Sequence, residues 1–257
     1  MRREQRSIAT RLIINNMMLI WFCFAGAGIS YGVKTININT LRDKMEGCFA
    51  GQMIGVGYGE WGEFSWQCTM RPLGSMPFFW DPDYINKGFY QDDTTPDTLF
   101  IKKLHDDGII FNWNWAGDIW RDYGGGAHAN GAAHNLLLAG YHPPMSGHYS
   151  LNGHAECIDW QIDGDSLGMV CPGMPTPALD LTWRLGHIIN YGNGVYGAMY
   201  VSAMIQEAYF ATSLQQIIDA GTQALPDGCI YKNQVLDVIN WYNQGHTIES
   251  NLSLIHI

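Results

Sequence analysis

Glycine recurs at every fourth position along one stretch of the chain. The four residues are Gly47, Gly51, Gly55 and Gly59. On an α-helix this spacing places them on one slowly drifting stripe. Glycine inside a helix costs up to about 1 kcal/mol relative to alanine, so the stripe needs a compensating reason. We therefore expect a helix whose bare backbone lies against another helix or a ligand. The alternative is a strand-and-loop segment, because Gly57 and Gly62 add to the local glycine content.

Helical signals dominate the rest of the chain, and strand alternation is scarce. Thr40 and Asp43 resemble a capping box at the start of the glycine-striped helix, and Ser213 and Gln216 form a second one, with Pro226 as a later stop. Residues 60–90 and 140–176 show no helical period, and the second segment is predicted to be a long surface insertion. Further helices are expected at 92–108, 131–139, 178–190, 195–211, 214–225 and 231–242. The predicted fold class is all-α.

The two ends of the chain differ in character from the middle. Four arginines within residues 1–11 precede an apolar stretch at 12–27 that ends in small residues, which is the order of a secretory signal peptide over residues 1–30. The alternative is an uncleaved membrane anchor. Cleavage predicts a secreted or periplasmic protein without stable membrane association. Residues 38–245 would form the helical domain. Residues 246–257 continue no pattern and are predicted to be a non-native tail, which leaves the domain incomplete at its C-terminus.

Composition narrows the possible partners. The 257 residues carry a net charge of −10, and 47% of them are hydrophobic, so the chain is not disordered. Binding to a nucleic-acid backbone requires a basic face, so nucleic acid is not expected as a partner. A small-molecule or ADP-ribosylated substrate is expected instead, on the grounds given below. The six cysteines contain no C-x-x-C pair, so a zinc site of the usual spacing is not predicted. Cys23 lies in the predicted targeting segment and leaves five cysteines, an odd number that argues against a disulfide framework.

The clearest chemical signal is a pair of adjacent carboxylates in the segment Gln91-Asp92-Asp93-Thr94. Mg²⁺ prefers carboxylate and water oxygens, so the pair is a candidate divalent-cation site. The alternative is helix capping, because acidic residues in a first turn are stabilised by the helix dipole. Glu63 lies just past the glycine stripe and is the second candidate, although on its own it resembles an ordinary exposed side chain.

Two of these motifs together resemble the ADP-ribosylglycohydrolase family. Residues 47–59 followed by Glu63 look like the opening helix of that family, and residues 91–94 look like its metal motif, usually Thr-Asp-Asp-Thr. Both occur in the order of the family and at a suitable spacing. The resemblance covers residues 40–243, and it is strong at the two motifs and weaker between them.

The resemblance implies an all-α orthogonal bundle of many helices with a central metal cleft that holds two Mg²⁺ ions, or Mn²⁺ in their place. It assigns Asp92 and Asp93 as metal ligands, places Gln91 where the family has a ligand Thr, and makes Glu63 the catalytic carboxylate. The implied function is a metal-dependent hydrolase, an enzyme that cleaves an ADP-ribosyl N- or O-glycosidic bond. An exported hydrolase of another N-glycoside, such as a nucleoside, and a non-catalytic protein that binds an ADP-ribose-like ligand are the alternatives.

The chain also departs from the family pattern. Val56 stands where the family commonly has Asp, and no convincing copy of the C-terminal Asp-x-Asp metal motif is present. The sequence Asp163-Gly164-Asp165 matches the Asp-x-Asp pattern but lies too early in the chain. The substrate loop of the family matches either the region 163–173 or the triplet 192–194, and the register stays open. The substrate-binding candidates are Asp163, Asp165, Gly192, Asn193 and Gly194, and the glycines at 124–126 are a weaker candidate for a diphosphate.

Overall fold

Helices make up most of the chain that the computed structural model describes, which is residues 34–66, 83–88, 91–108, 113–247 and 250. No β-strand occurs within these ranges, and the helices pack as an orthogonal multi-helix bundle, so the all-α prediction is confirmed. The predicted signal peptide and most of the predicted tail lie outside the described residues. The central metal cleft stays a prediction.

From α6 onward the helices follow one another with short connections. In order they are α1 (Ile38–Gly59), α2 (Asp83–Gly88), α3 (Thr95–Asp107), α4 (Trp113–Tyr123), α5 (His128–Leu138), α6 (Asp159–Asp163), α7 (Asp165–Met169), α8 (Pro175–Ile189), α9 (Asn193–Ala208), α10 (Leu214–Ala224) and α11 (Ile230–Asn243). A single 3-10 turn, Glu60–Gly62, extends α1. Helix α9 lies at the centre and packs against α6, α7, α8 and α10.

The helix starts show where local signals succeeded. The N-cap prediction for α10 is confirmed, because the Ser213 hydroxyl accepts a hydrogen bond from the backbone N–H of Gln216 at 3.4 Å. The prediction for α1 is wrong: the helix begins at Ile38, and Asn37 caps it by accepting from the N–H of Asn39 at 2.8 Å. An asparagine side chain can accept from the free backbone N–H groups of a helix start as well as Ser or Thr can. The N-cap is therefore Asn37, three residues before the predicted Thr40.

The segment 140–176 is only partly at the surface, so the prediction of a surface insertion is wrong for its buried part. The side chain of Asn152 is 1% exposed, and its Nδ2 donates to three backbone carbonyls, those of Ala129, Ser146 and Ile189, at 2.9–3.3 Å. Asn190 serves the same segment, donating to the carbonyl of Cys157 at 2.8 Å. Two buried amides therefore supply the backbone partners that this irregular chain would otherwise take from water. The Gly and Pro content of the segment indicated loop conformation but not exposure.

Three large aromatic rings join the helices that surround the site described below. Phe100 of α3 stacks on Trp120 of α4 at a centroid distance of 6.1 Å, and it meets Trp160 of α6 edge-on at 5.6 Å. All three side chains are at most 2% exposed. Trp160 also donates its Nε1–H to the carbonyl of Thr182 at 2.9 Å. Dense aromatic packing of this kind holds α3 and α6 in one relative position.

The glycine stripe of α1 does not have the neighbour that its sequence predicts. A Cβ built on Gly47, Gly51, Gly55 or Gly59 would meet nothing within 4 Å. The close approach occurs from the other side, where a Cβ on Gly88 of α2 would clash with the carbonyl oxygen of Met53. The helical prediction for this stretch is thus confirmed, whereas the described residues place no second helix on the stripe.

None of the helices within the described ranges is long and apolar enough to cross a lipid bilayer. Residues from Ile36 onward form one compact unit. The cysteines described in this unit, Cys48, Cys157, Cys171 and Cys229, are free thiols. Burial raises the pKa of the Cys171 thiol, so this side chain behaves as a small apolar residue.

Candidate carboxylate site

The segment 91–94 forms a turn immediately before α3. The carbonyl of Gln91 accepts hydrogen bonds from the N–H groups of Thr94 and Thr95 at 3.2 and 3.1 Å, and the Thr94 hydroxyl donates to the carbonyl of Gly88 at 2.6 Å. Thr94 is buried, Asp93 is half-buried and Asp92 is exposed. The predicted helix start at residue 92 is three residues too early. The two carboxylates therefore precede the first turn of α3 rather than forming part of it.

The fold brings the two sequence motifs into electrostatic contact. Burial raises the pKa of Asp93, and the negative charges of Asp92 and Glu63 raise it further. Glu63 lies at the end of the 3-10 turn that follows α1, and its side chain is exposed. A residue 30 positions away in sequence thus acts on the central carboxylate of the turn.

Asp97 is a third carboxylate, in the first turn of α3 and four residues after Asp93. It is 2% exposed, and its Oδ2 accepts a hydrogen bond from Nε2 of Gln52. The same Gln52 nitrogen lies 3.0 and 3.2 Å from the two carboxylate oxygens of Asp165. Gln52 comes from the middle of α1 and therefore links three helices, α1, α3 and α7.

Asp163 and Asp165 lie at the junction of α6 and α7, with Gly164 between them. Asp163 is 1% exposed and accepts a hydrogen bond from Nδ2 of Asn130 at 3.1 Å. The backbone N–H of Asn130 donates to Oδ1 of Asp159 at 3.0 Å. The start of α5 thus holds the side chains of two acidic residues of α6, on the side of the bundle where Asp97 lies.

The buried carboxylates repel one another. Burial raises the pKa of Asp97, Asp163 and Asp165, in the last case to about 6, and the charges of neighbouring carboxylates raise these values further. The Asp93 charge acts on both Asp163 and Asp165. The ion pairs within the described ranges join other residues, such as Arg184 with Asp180. Buried carboxylates without a cation are costly, so the cluster requires bound protons or a bound cation.

The donor set fits a hard divalent cation in its chemistry. Carboxylate and amide oxygens are the ligands that Mg²⁺ and related ions prefer. Oδ1 of Asp97 is buried and has no hydrogen-bond partner within the described residues. No set of three or more His, Cys, Asp or Glu side chains in that part of the chain stands ready-made to hold a metal ion. The match to the ion is therefore one of donor type and charge, without a preformed set of ligands in that part of the chain.

A cleft of about 240 Å³ opens beside the turn. Its walls include Asp92, Asn130, the side of Trp120 and the loop of three glycines at 124–126. Gly126 has φ of +97°, a backbone conformation that glycine adopts without strain. A second cavity of about 490 Å³ also has Leu99 and Tyr123 in its lining, so the two spaces adjoin. Tyr123 is 70% exposed and stands at the boundary between them.

The triplet at 192–194 is engaged in structural hydrogen bonds. Asn193 donates its backbone N–H and its Nδ2–H to Oε1 of Glu156, both at 2.9 Å, and its Oδ1 accepts from the N–H of Tyr231 at 3.1 Å. A Cβ on Gly194 would lie 2.6 Å from the carbonyl of Ala155. These contacts give Asn193 and Gly194 a structural role at the start of α9. A substrate-binding role for the triplet, which includes Gly192, stays a prediction.

Gln52, Asp97 and Asn130 were not singled out as functional candidates from sequence. Asp97 had a usable signal, because the spacing of four from Asp93 would put both carboxylates on one face of the helix that the sequence predicts from residue 92. Gln52 lies within the striped helix, and only its position opposite Asp97 and Asp165 shows a role. Asn130 carries no sequence signal at all, since its importance comes from the packing of α5 against α6.

Comparison of the chain with known protein families, with curated proteins and with solved structures finds no match in any of the three. The class that the fold and the site define is therefore an all-α protein with a cleft beside a buried group of carboxylates. The resemblance to ADP-ribosylglycohydrolases rests on the two motifs and their order, and the function that it implies stays a prediction.

Proposed function

We propose that this protein is a divalent-cation-dependent glycosyl hydrolase that cleaves an ADP-ribosyl N- or O-glycosidic bond, with Mg²⁺ or Mn²⁺ held at Asp92 and Asp93. The observation that supports it most is the position of Asp93. The charges of Asp92 and Glu63 raise the pKa of Asp93, and the charge of Asp93 in turn raises the pKa values of the buried Asp163 and Asp165. Glu63 and Asp93 belong to two motifs that are far apart in sequence. A shared site requires their side chains to lie close enough to interact, as the effect of Glu63 on the pKa of Asp93 indicates.

The cleft supports a substrate larger than one sugar ring. The space beside Asp92 is about 240 Å³, which is below the roughly 300–1,000 Å³ of typical ligand pockets. The adjoining cavity past Tyr123 adds about 490 Å³. A ribose beside Asp92 would therefore leave room for the remainder of an ADP-ribosyl group along the same groove.

Hydrolysis breaks the bond between the anomeric carbon and the leaving nitrogen or oxygen. Water supplies a hydroxyl to that carbon, and a water proton ends on the leaving atom, through an oxocarbenium-like transition state. Divalent ions, when bound, would orient the sugar hydroxyls and make a water molecule more acidic. Glu63 is exposed beside Asp93, so it is free to move a proton between water and the leaving group. Asp92 borders the cleft where the sugar would lie.

A hydrolase of a smaller N-glycoside, such as a nucleoside, is the second candidate. The size of the space beside Asp92 favours it, because that space by itself suits a single ring. The two candidates differ in whether the adjoining cavity contributes to binding.

An assay of the purified full chain with Mg²⁺ or Mn²⁺ tests the proposal. The substrates are ADP-ribosyl-arginine, ADP-ribosyl-serine and simple nucleosides, with EDTA-treated protein as the blank. We expect release of ADP-ribose that depends on the divalent ion and is lost in Asp92→Ala. Activity confined to nucleosides would favour the second candidate, and activity of Asp92→Ala equal to that of the native chain would refute the metal assignment.

A further inference from the structure

A cluster of imidazole and aromatic rings joins the loop that follows α5 to the end of α8. The loop contributes His148 and Tyr149, α8 contributes Trp183 and His187, and Tyr191 follows α8. The ring centroid of His148 lies 4.5 Å from that of Tyr191, and the centroid of His187 lies 5.0 Å from it. One tyrosine thus brings two titratable imidazoles together, and the proposed hydrolysis uses neither of them.

The hydrogen bonds of His148 require a neutral imidazole. Its Nδ1 accepts from the backbone N–H of Ser150 at 3.1 Å, and the Ser150 hydroxyl lies 2.8 Å from the same nitrogen. A protonated imidazole carries a hydrogen on both ring nitrogens and therefore has no acceptor. Protonation of His148 would remove the acceptor that a backbone donor of the loop uses.

His187 also favours the neutral form. Its side chain is buried, and its Nδ1 donates to the carbonyl of Trp183 at 2.6 Å, so a second proton would enter at Nε2. Burial lowers the pKa of His187 below its usual 6.5, the Trp183 carbonyl acts against this shift, and the charge of His148 lowers the pKa further. Tyr191 also faces the ring, and Arg184 carries a positive charge one turn earlier on α8.

The loop packs tightly against the end of α8 next to these two histidines. The buried Ser146 hydroxyl donates to the carbonyl of Ile188 at 2.7 Å. A Cβ on Gly147 would lie 2.7 Å from the carbonyl oxygen of His187, so the two backbones are in close contact. Positive charges on His148 and His187 would therefore develop across a close contact, where like charges repel.

The same loop supports one wall of the cleft. The backbone N–H of Asn152 donates to the carbonyl of His148 at 2.9 Å. The side chain of Asn152 donates to the carbonyl of Ala129 at the start of α5, and the next residue, Asn130, lines the cleft. Separation of the loop from α8 would therefore remove support from the residue that precedes Asn130.

We propose that His148 and His187 form a pH switch that holds residues 146–152 on the end of α8 when both rings are neutral and releases them when the rings are protonated. A histidine whose folded-state pKa is lowered contributes stability that is fully present above about pH 6.5 and is lost as pH falls through the folded value. The segment is therefore held most firmly above about pH 6.5. The switch does not depend on the reaction proposed for the cleft.

Hydrogen–deuterium exchange of the full chain at pH 8 and at pH 5, read by mass spectrometry on peptides that cover residues 146–152, tests the switch. The variants are His148→Gln and His187→Gln, and the matched control is His105→Gln, an exposed histidine of α3. Protection factors correct for the pH dependence of exchange itself. We expect protection of the native segment to fall about tenfold from pH 8 to pH 5, the effect of one pKa unit. It should fall by about twofold or less in either variant, and the control should behave as the native chain does.

Local exchange is the appropriate measurement because the buried carboxylates change the overall stability with pH in the opposite direction. Native protection that is equal at the two pH values would overturn the proposal. The same pH dependence in the native chain and in both variants would also overturn it. Low protection at both pH values in both variants would make the rings packing residues only, which again excludes a switch. Protection at the start of α5 should fall together with that of the loop, and an unchanged value there would remove the connection to the cleft.

Discussion

At the scale of single residues, the carboxylates differ in their access to solvent. Glu63 and Asp92 are exposed, Asp93 is half-buried, and Asp97 and Asp163 are at most 2% exposed. A group that moves a proton to a substrate needs access to it, and the exposure of Glu63 meets that condition. Asp92, the proposed metal ligand, is exposed as well, so exposure alone does not distinguish the two proposed roles.

Glu63→Gln should lower kcat by about 10²- to 10⁴-fold, the range that one general acid or base contributes. The amide keeps the shape of the side chain but transfers no proton. Steady-state kinetics with an ADP-ribosyl substrate measures the effect, and Mn²⁺ titration of the same variant serves as the control. An equal loss of Mn²⁺ affinity and of kcat would show that Glu63 acts as a metal ligand instead.

Tyr123→Ala should raise KM for an ADP-ribosyl substrate by about fivefold or more with little change in kcat. The ring is 70% exposed at the boundary of the two cavities, and stacking of a base on an aromatic ring is worth about 1–3 kcal/mol. Tyr242→Ala on α11, at 76% exposure, is the matched control. A KM equal to that of the native protein would remove the adjoining cavity from the substrate path.

At the scale of elements, α1 shows how one helix uses glycine in two different ways. Its stripe at residues 47–59 meets open space, while its opposite side receives Gly88 of α2 against the carbonyl of Met53. The side chain of Gln52 then reaches α3 and α7. The helix therefore contributes to the site through one amide and one close contact, and its exposed glycines have no packing explanation within the described residues.

Gly51→Ala and Gly88→Ala should change stability in opposite directions. Alanine at position 51 meets nothing within 4 Å and favours the helix by up to about 1 kcal/mol. Alanine at position 88 would overlap the Met53 carbonyl, and such overpacking costs about 1–3 kcal/mol. Urea unfolding of both variants measures the difference. A Gly51→Ala variant that is more stable but inactive would indicate that a ligand approaches the bare stripe, and a destabilised one would indicate a packing partner.

At the scale of the whole molecule, the buried acidic group should make stability depend on pH and on cations. The folded-state pKa of Asp165 is raised from 3.8 to about 6, and those of Asp97 and Asp163 are raised well above 3.8. A group with a raised folded-state pKa contributes stability that is fully present below its unfolded pKa and is lost as pH rises through the folded value. The chain therefore loses stability between about pH 4 and 6 from Asp165, and Asp97 and Asp163 add losses of the same sign as pH rises.

The unfolding temperature of EDTA-treated protein should rise when the pH is lowered from about 7 to about 4, because Asp165 takes up its proton in the folded state within this range. Below about pH 4 the gain should reverse, because Asp106 and Asp227, whose pKa values are lowered by Lys102 and Lys232, lose their charges. Saturating Mn²⁺ at pH 8 should replace the missing protons and raise the unfolding temperature. Differential scanning calorimetry from pH 8 to pH 3 measures the effect. A flat profile from about pH 7 to about pH 4 would show that the carboxylates do not repel one another.

Local sequence signals accounted for much of the helical architecture. Helices α5 and α8 to α11 were expected within three residues of their observed bounds, because each combines a long apolar period with a recognisable start or stop. Helix α4 was missed, although Trp120 and Ala116 are among its buried residues, and the short α6 and α7 were assigned to a loop. Helices of five residues carry too little periodicity to be recognised, and tertiary contacts such as the burial of Trp160 and Leu167 hold them in place.

The sequence by itself determined the helical class and the candidates Glu63, Gln91, Asp92 and Asp93, because helix period and donor chemistry are local properties. The tertiary structure alone decided that Asp163 and Asp165 face the same group as Asp93, since this depends on Phe100 packing against Trp160. It also showed that the glycine stripe is open and that residues 140–176, although partly exposed, contribute buried side chains such as Asn152 and Trp160 to the interior. Proximity between distant parts of a chain is a property of packing, and no spacing along the sequence encodes it directly.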